Sequence, residues 1–178
     1  MNLGRIVQIR ALLSGGALKI GKRPKMLYWP HFRWRRGRIK IGDGVSMRKG
    51  VVIDAQSGQI EIGNAVSLND YVVLLGHGDI SIGNNVRIAP HAVIVSFDHG
   101  FQDPETLIRK QPLMKARVVI EDDVWIGAGA KILAGSHIAK GSVIGAGAVI
   151  KGTTDPGGIY VGIRARLLRR RGTPHIEM

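Results

Sequence analysis

The sequence predicts an all-β solenoid, a stack of short strands that turn every few residues. Three observations carry this. Ile120, Ile126, Ile132, Ile138, Ile144 and Ile150 stand in strict steps of six. Four residues after each of the first five comes something small: Val124, Ala130, Ser136, Ser142 and Ala148. Glycines crowd the same run at 127, 129, 135, 141, 145 and 147, where they favour turns over helix. Six helical residues advance a side chain by about 240°, so the stripe would wander around a cylinder. Six is even, so in extended chain every isoleucine faces one side. An ordinary sandwich with glycine-rich turns has no reason to keep a constant step.

The same beat runs earlier in the chain. Ile41, Met47 and Ile53 are six apart, as are Ile62, Leu68 and Leu74, and again Ile82, Ile88 and Ile94. Their +4 positions hold Val45, Val51, Val66, Val72, Val86 and Ala92. The steps between triplets are nine and then eight, six plus a few turn residues. Three hexads make a coil of about eighteen residues, and each coil buries its neighbour's face. The expected organisation is a basic N-terminal cap segment over 1–38, the repeat over 39–152 and a closing segment over 153–178. From Ile94 to Ile120 the step is twenty-six, which predicts a loop extruded over about 96–117. Long loops in compact domains are usually functional.

At 178 residues the chain is expected to be one domain. It has no cysteine, which excludes disulfides and thiolate metal sites and fits a reducing cytoplasm. No apolar stretch is long enough to span a bilayer, and the N-terminus lacks a signal-peptide apolar region, so a soluble or peripheral protein is expected. The net charge is +13, with basic residues crowding 22–38 and 164–171. Such charge calls for an anionic partner. Nucleic acid is not the expected one, because no recognition helix or aromatic RNA-binding motif is present. The segment MNLGRIVQIRALL reads as a short basic amphipathic helix, with Tyr28, Trp29, Phe32 and Trp34 soon after it. That mix suits an anionic membrane surface or a lipid-linked substrate, and equally a cap on the first coil.

The run VWIGAGAKILAGSHIAKGSVIGAGAVI, with I-G-D-G-V-S, I-G-N-A-V-S and I-G-N-N-V-R, resembles the hexapeptide-repeat acyltransferases, over about residues 39 to 170. The resemblance implies a left-handed parallel β-helix; parallel crossovers are normally right-handed, so spacing alone does not give that hand. A short C-terminal helix is also expected. The Asp98-His99-Gly100-Phe101 segment at the loop root is similar to that of sugar O-acetyltransferases, both the maltose and galactoside type and those of surface-polysaccharide synthesis. The resemblance makes His99 the general base for an acceptor hydroxyl, which then attacks the thioester of acetyl-CoA directly. Histidine suits that task near neutral pH.

Further roles follow from the resemblance. Asn69, His77 and Asp98 fall on the acceptor side, with His77 where relatives often carry aspartate. Trp125, Ala128, Ala146, Lys151 and Arg166 fall on the cofactor side. Arg166 would reach a coenzyme A phosphate, and Lys151 would add charge nearby. Many relatives carry serine at Ala128, so oxyanion help here would come from a backbone N–H. Relatives work as trimers with shared sites and need no metal. A zinc-dependent carbonic anhydrase on this fold needs two histidines five residues apart, and no pair here has that spacing. Serine acetyltransferases and maltose-type enzymes carry helical N-terminal regions not seen here, which favours the polysaccharide-decorating branch. The expected function is acetyl transfer to a saccharide hydroxyl in surface polysaccharide or lipopolysaccharide synthesis, in the cytoplasm, with the inner face of the membrane as a further expected location. The alternatives are N-acetyl transfer to an amino sugar and a non-catalytic scaffold.

Overall fold

The computed structural model describes residues 14–26 and 28–172. It is a parallel β-solenoid with three flat faces, of the left-handed β-helix type. Each coil lays one short strand on each face. In the second coil these are Arg38–Ile41, Ser46–Met47 and Val52–Asp54. The third coil follows with Gln59–Ile62, Ser67–Leu68 and Val73–Leu75, and the fourth with Ile80–Ile82, Arg87–Ile88 and Val93–Val95. The fifth and sixth coils run from Val118–Ile120 to Val149–Ile150.

The hexad residues of successive coils stack in register and fill the interior. Met47, Leu68, Ile88, Ile126 and Ile144 form one column on the second face. Ile53, Leu74, Ile94, Ile132 and Ile150 form another on the third. All ten are buried, as are Val51, Val72, Ala92, Ala130 and Ala148, four positions after the members of the first column. Small side chains suit the corners, where two walls converge.

The Ile-Gly-Asp/Asn motif also has a structural cause. Side-chain oxygens of Asp43, Asn64, Asn84 and Asp122 each accept from the backbone N–H of the coil before, at 2.6–2.8 Å. The preceding glycines are needed because a Cβ at Gly42 or Gly63 would run into the next coil's carbonyl and this side-chain ladder.

Stacking begins earlier than residue 39. Leu18–Ile20, Lys25–Met26 and His31–Arg33 form a first coil in register with the second, inside the segment expected to be a cap. The proposed amphipathic helix over 1–13 lies outside the described residues, as does His175. The short C-terminal helix is corrected: among the described residues the one helical element is a 3-10 turn at Ile108–Lys110, and Arg166–Arg170 is a strand. It runs antiparallel to Gly158–Val161, which extends the second face. An isolated helix of that length is unstable in water, whereas the open edge of Gly158–Val161 offers partners for the whole strand.

The third corner, between the third and first faces, carries turns 34–37, 55–58 and 76–79, and then the loop. Gly37 donates to Gln56 O, Arg38 to Gly58 O and Gly76 to Asp54 O, so these turns sit tightly on one another. A Cβ at Gly58 would meet the Gly76 carbonyl oxygen and the His77 backbone. Gly58→Ala should therefore cost about 1–3 kcal/mol, as overpacking does, measured as a lowered urea midpoint at unchanged slope.

Candidate active site

The extruded loop leaves the third corner of the fourth coil, with the boundaries its sequence step predicts. Its two feet are clamped at buried Ser96, which accepts from Gly78 N through Oγ at 2.9 Å and from Ala116 N through its carbonyl at 2.9 Å. Phe97–His99 then pairs antiparallel with Leu113–Lys115. The loop root is thus a short hairpin fixed to the solenoid. This holds His99 on a rigid support with its imidazole exposed.

His99 meets Phe97 edge-on, with ring centroids 6.3 Å apart. His77 packs against the same ring, tilted by 46° with centroids 4.3 Å apart. Phe97 therefore joins two histidines that are twenty-two residues apart in sequence. Asp98 does not orient His99: its carboxylate faces Lys151 Nζ at 3.8 Å. Lys151, expected on the cofactor side, is therefore brought beside the catalytic candidate.

Below His77 lies a group that the sequence did not single out. Asp54 is 6% exposed although it points outward from the third face. Its Oδ2 accepts from Gln56 Nε2 at 3.2 Å and lies 3.6 Å from Arg33, while its Oδ1 is buried with no hydrogen-bond partner among the described residues. A buried carboxylate oxygen left unpaired is costly, and functional sites are where proteins retain such costs.

Burial pushes the His77 imidazole below its ordinary 6.5; Asp54 opposes the shift, and Lys115 and His99 reinforce it. His77 is therefore neutral near pH 7 and able both to donate and accept a hydrogen bond. NMR titration of His77 should give a midpoint below 6.5. Between that midpoint and 6.5 the unfolded chain binds the proton more readily, so stability should rise with pH across that window. A midpoint at or above 6.5 would contradict this.

The remaining candidates occupy other corners. Asn69 is at the second corner, and its Nδ2 donates to Ile88 O at 2.8 Å, a bond between coils. Trp125 stands on the second face, 56% exposed, between Arg87 and Val143 of the adjoining coils. Ala128 and Ala146 are exposed turn residues at the second corner, stacked through the Gly147 N to Ala128 O bond of 2.8 Å. Neither alanine's N–H donates to a protein acceptor among the described residues. Arg166 is exposed on the terminal strand, opposite Val161. One chain thus gathers His77, Asp98, His99 and Lys151 at the third corner. It places Asn69, Trp125, Ala128 and Ala146 on or beside the second.

Comparison with known proteins fits this geometry. Residues 117–152 match the bacterial transferase hexapeptide (six repeats) family. The chain is 32% identical over 175 residues to Rv3034c of Mycobacterium tuberculosis, a protein named as an acetyltransferase, covering 95% of this chain and 49% of that protein. It is 27% identical over 154 residues to WbbJ of Escherichia coli, named as a lipopolysaccharide biosynthesis O-acetyl transferase, covering 82% of this chain and 79% of that one. The chain therefore spans about half the length of the mycobacterial relative. Among solved structures, a variant of AntD, an N-acyltransferase from Bacillus cereus in complex with dTDP-4-amino-4,6-dideoxyglucose and coenzyme A, superposes with a TM-score of 0.77. It is 20% identical, with 92% of this chain and 90% of that chain covered. The chain is similar to the hexapeptide-repeat acyltransferases in both sequence and fold.

Proposed function

We propose that this hexapeptide-repeat chain transfers an acetyl group from acetyl-CoA to a saccharide hydroxyl, in the synthesis of a surface polysaccharide or lipopolysaccharide. The observation that carries this reading is His99, exposed on a rigid hairpin at the root of the extruded loop. His99 takes the proton of the acceptor hydroxyl as its oxygen attacks the thioester carbonyl. The C–S bond then breaks, and the imidazolium returns the proton to the leaving thiolate. Neutral His77 and the Asn69 side chain are assigned to the acceptor, with Asp98 set by Lys151. Trp125, the Ala128 and Ala146 N–H groups and Arg166 are assigned to coenzyme A. A backbone N–H at Ala128 serves the oxyanion.

The two half-sites lie on different corners of one chain, so we assign the complete site to a homotrimer in which neighbouring copies face each other. The exposed apolar side chains Phe101, Leu107 and Ile108 on the loop, and Ile163, Leu167 and Leu168 near the closing strands, suit burial between copies. Light scattering should give three times the 19.3 kDa chain mass, and a monomer at micromolar concentration would contradict the shared site.

N-acyl transfer is the second reading, favoured by the likeness to AntD. Thiol release from acetyl-CoA, measured with hexoses and with their amino-sugar counterparts, separates the two by which acceptor accelerates it. No acceleration with either would contradict both readings. No helix among the described residues is long and apolar enough to cross a membrane. We place the activity in the cytoplasm, at or near the membrane face.

A further inference from the structure

Among the described residues, five cations sit singly against carboxylates: Arg33 with Asp54, Arg48 with Asp70, Lys151 with Asp98, Arg170 with Asp155 and Arg171 with Asp123. One region instead gathers several cations along a single groove. A groove of about 640 Å³ runs over the first face of the first three coils and under the 34–37 turn. Lys19, Arg35, Arg36, Arg38 and Lys40 line it, with Glu61 as its one acid. None of these five cations has an ion-pair partner among the described residues.

Lys19 and Lys40 are direct cross-strand partners, as are Lys40 and Glu61. Like charges directly opposite one another destabilise a sheet, and Glu61 offsets only one of the five cations, so the groove keeps a net positive charge that a bound anion would neutralise. Guanidinium groups offer the planar fork that phosphate oxygens accept. The groove's size is in the range of small-molecule sites.

Its place in the fold connects it to His99. The 34–37 turn carrying Arg35 and Arg36 lies on the same third corner as His77 and the loop root. Lys115, from the loop hairpin, reaches down this corner to Ser57 Oγ at 3.0 Å, next to the groove's edge. From the first-coil turn to the root of the loop is three strand spacings, roughly 14 Å. A sugar with its hydroxyl at His99 and a diphosphate on its anomeric carbon extends along this line.

Resting on the transferase reading above, we infer that this groove holds the diphosphate of a diphosphate-linked saccharide acceptor. The diphosphate comes either from a nucleoside diphosphate sugar or from a lipid diphosphate sugar.

The test is calorimetric titration of the full chain with inorganic pyrophosphate, orthophosphate, uridine diphosphate glucose and farnesyl diphosphate, each beside acetyl-CoA. Pyrophosphate should bind more tightly than orthophosphate. The double variant Arg35→Glu with Arg36→Glu should weaken it by about tenfold or more, because both side chains are exposed and supply charge to the groove. Lys131→Glu, an exposed cation on another face, should change it less than about twofold. Tighter binding of the uridine compound than of pyrophosphate assigns a nucleotide source, and tighter binding of the farnesyl compound a lipid source.

Pyrophosphate binding that ignores the double variant overturns the inference. So does arginine-dependent binding to phosphatidylglycerol vesicles with no affinity for pyrophosphate. The double variant should leave the acetyl-CoA dissociation constant unchanged. Acetyl-CoA binding without pyrophosphate binding sinks the groove but spares the transferase reading, and the converse result does the opposite.

Discussion

His99→Ala should lower the rate of acetyl transfer by roughly 10²–10⁴-fold, the range a positioned general base supplies. The acetyl-CoA dissociation constant should stay within about twofold, since His99 is assigned to the acceptor proton and not to the cofactor. The side chain is exposed and has no hydrogen-bond partner among the described residues, so its removal breaks no structural bond. Phe97 and the paired hairpin strands, not His99, hold the loop root. An unchanged melting temperature beside the lost rate would therefore assign the loss to chemistry. Retention of most of the rate with normal cofactor binding would remove His99 from the proton path.

Ile94→Ala should cost about 2–5 kcal/mol of stability, the range seen for isoleucine truncated in a packed core. Ile94 is fully buried, in register between Leu74 and Ile132 of the adjoining coils. In a stacked solenoid its methyl groups stabilise two interfaces together, so neither neighbour can close the cavity alone. It also lies two residues before Ser96, which anchors the loop. Urea unfolding should show the loss as a lowered midpoint, and Ile94→Val should retain most of it, at about 0.5–1.5 kcal/mol. An Ile94→Ala cost below about 1 kcal/mol would mean that the column is not the core.

The solenoid was legible because its cause is local and repeats: an aliphatic every sixth residue and a small residue four later. The first coil obeys the same rule. Ile20, Met26 and Phe32 are six apart, yet their mixed types among basic residues hid the beat. The loop was legible as a broken interval, and His99 as the ionisable group at its root. The closing strand was not, because Arg166–Arg170 has no period of its own and is ordered by the edge of Gly158–Val161.

Within the site, Asp54, Gln56 and Arg33 escaped notice for a related reason. Arg33 and Asp54 are twenty-one residues apart and become neighbours only by stacking. The available signal was an acid at the end of a third-face strand where the next two coils carry Leu75 and Val95. Asn69 and His77 illustrate the opposite case. Eight residues apart in sequence, they are separated by a full face of the solenoid.

Calorimetric titration of the purified chain with acetyl-CoA tests the central claim most directly. Saturable binding that Arg166→Ala and Trp125→Ala weaken, and that His99→Ala leaves intact, is the predicted result. No heat of binding for acetyl-CoA or coenzyme A, from protein shown to be folded by its melting transition, would contradict it.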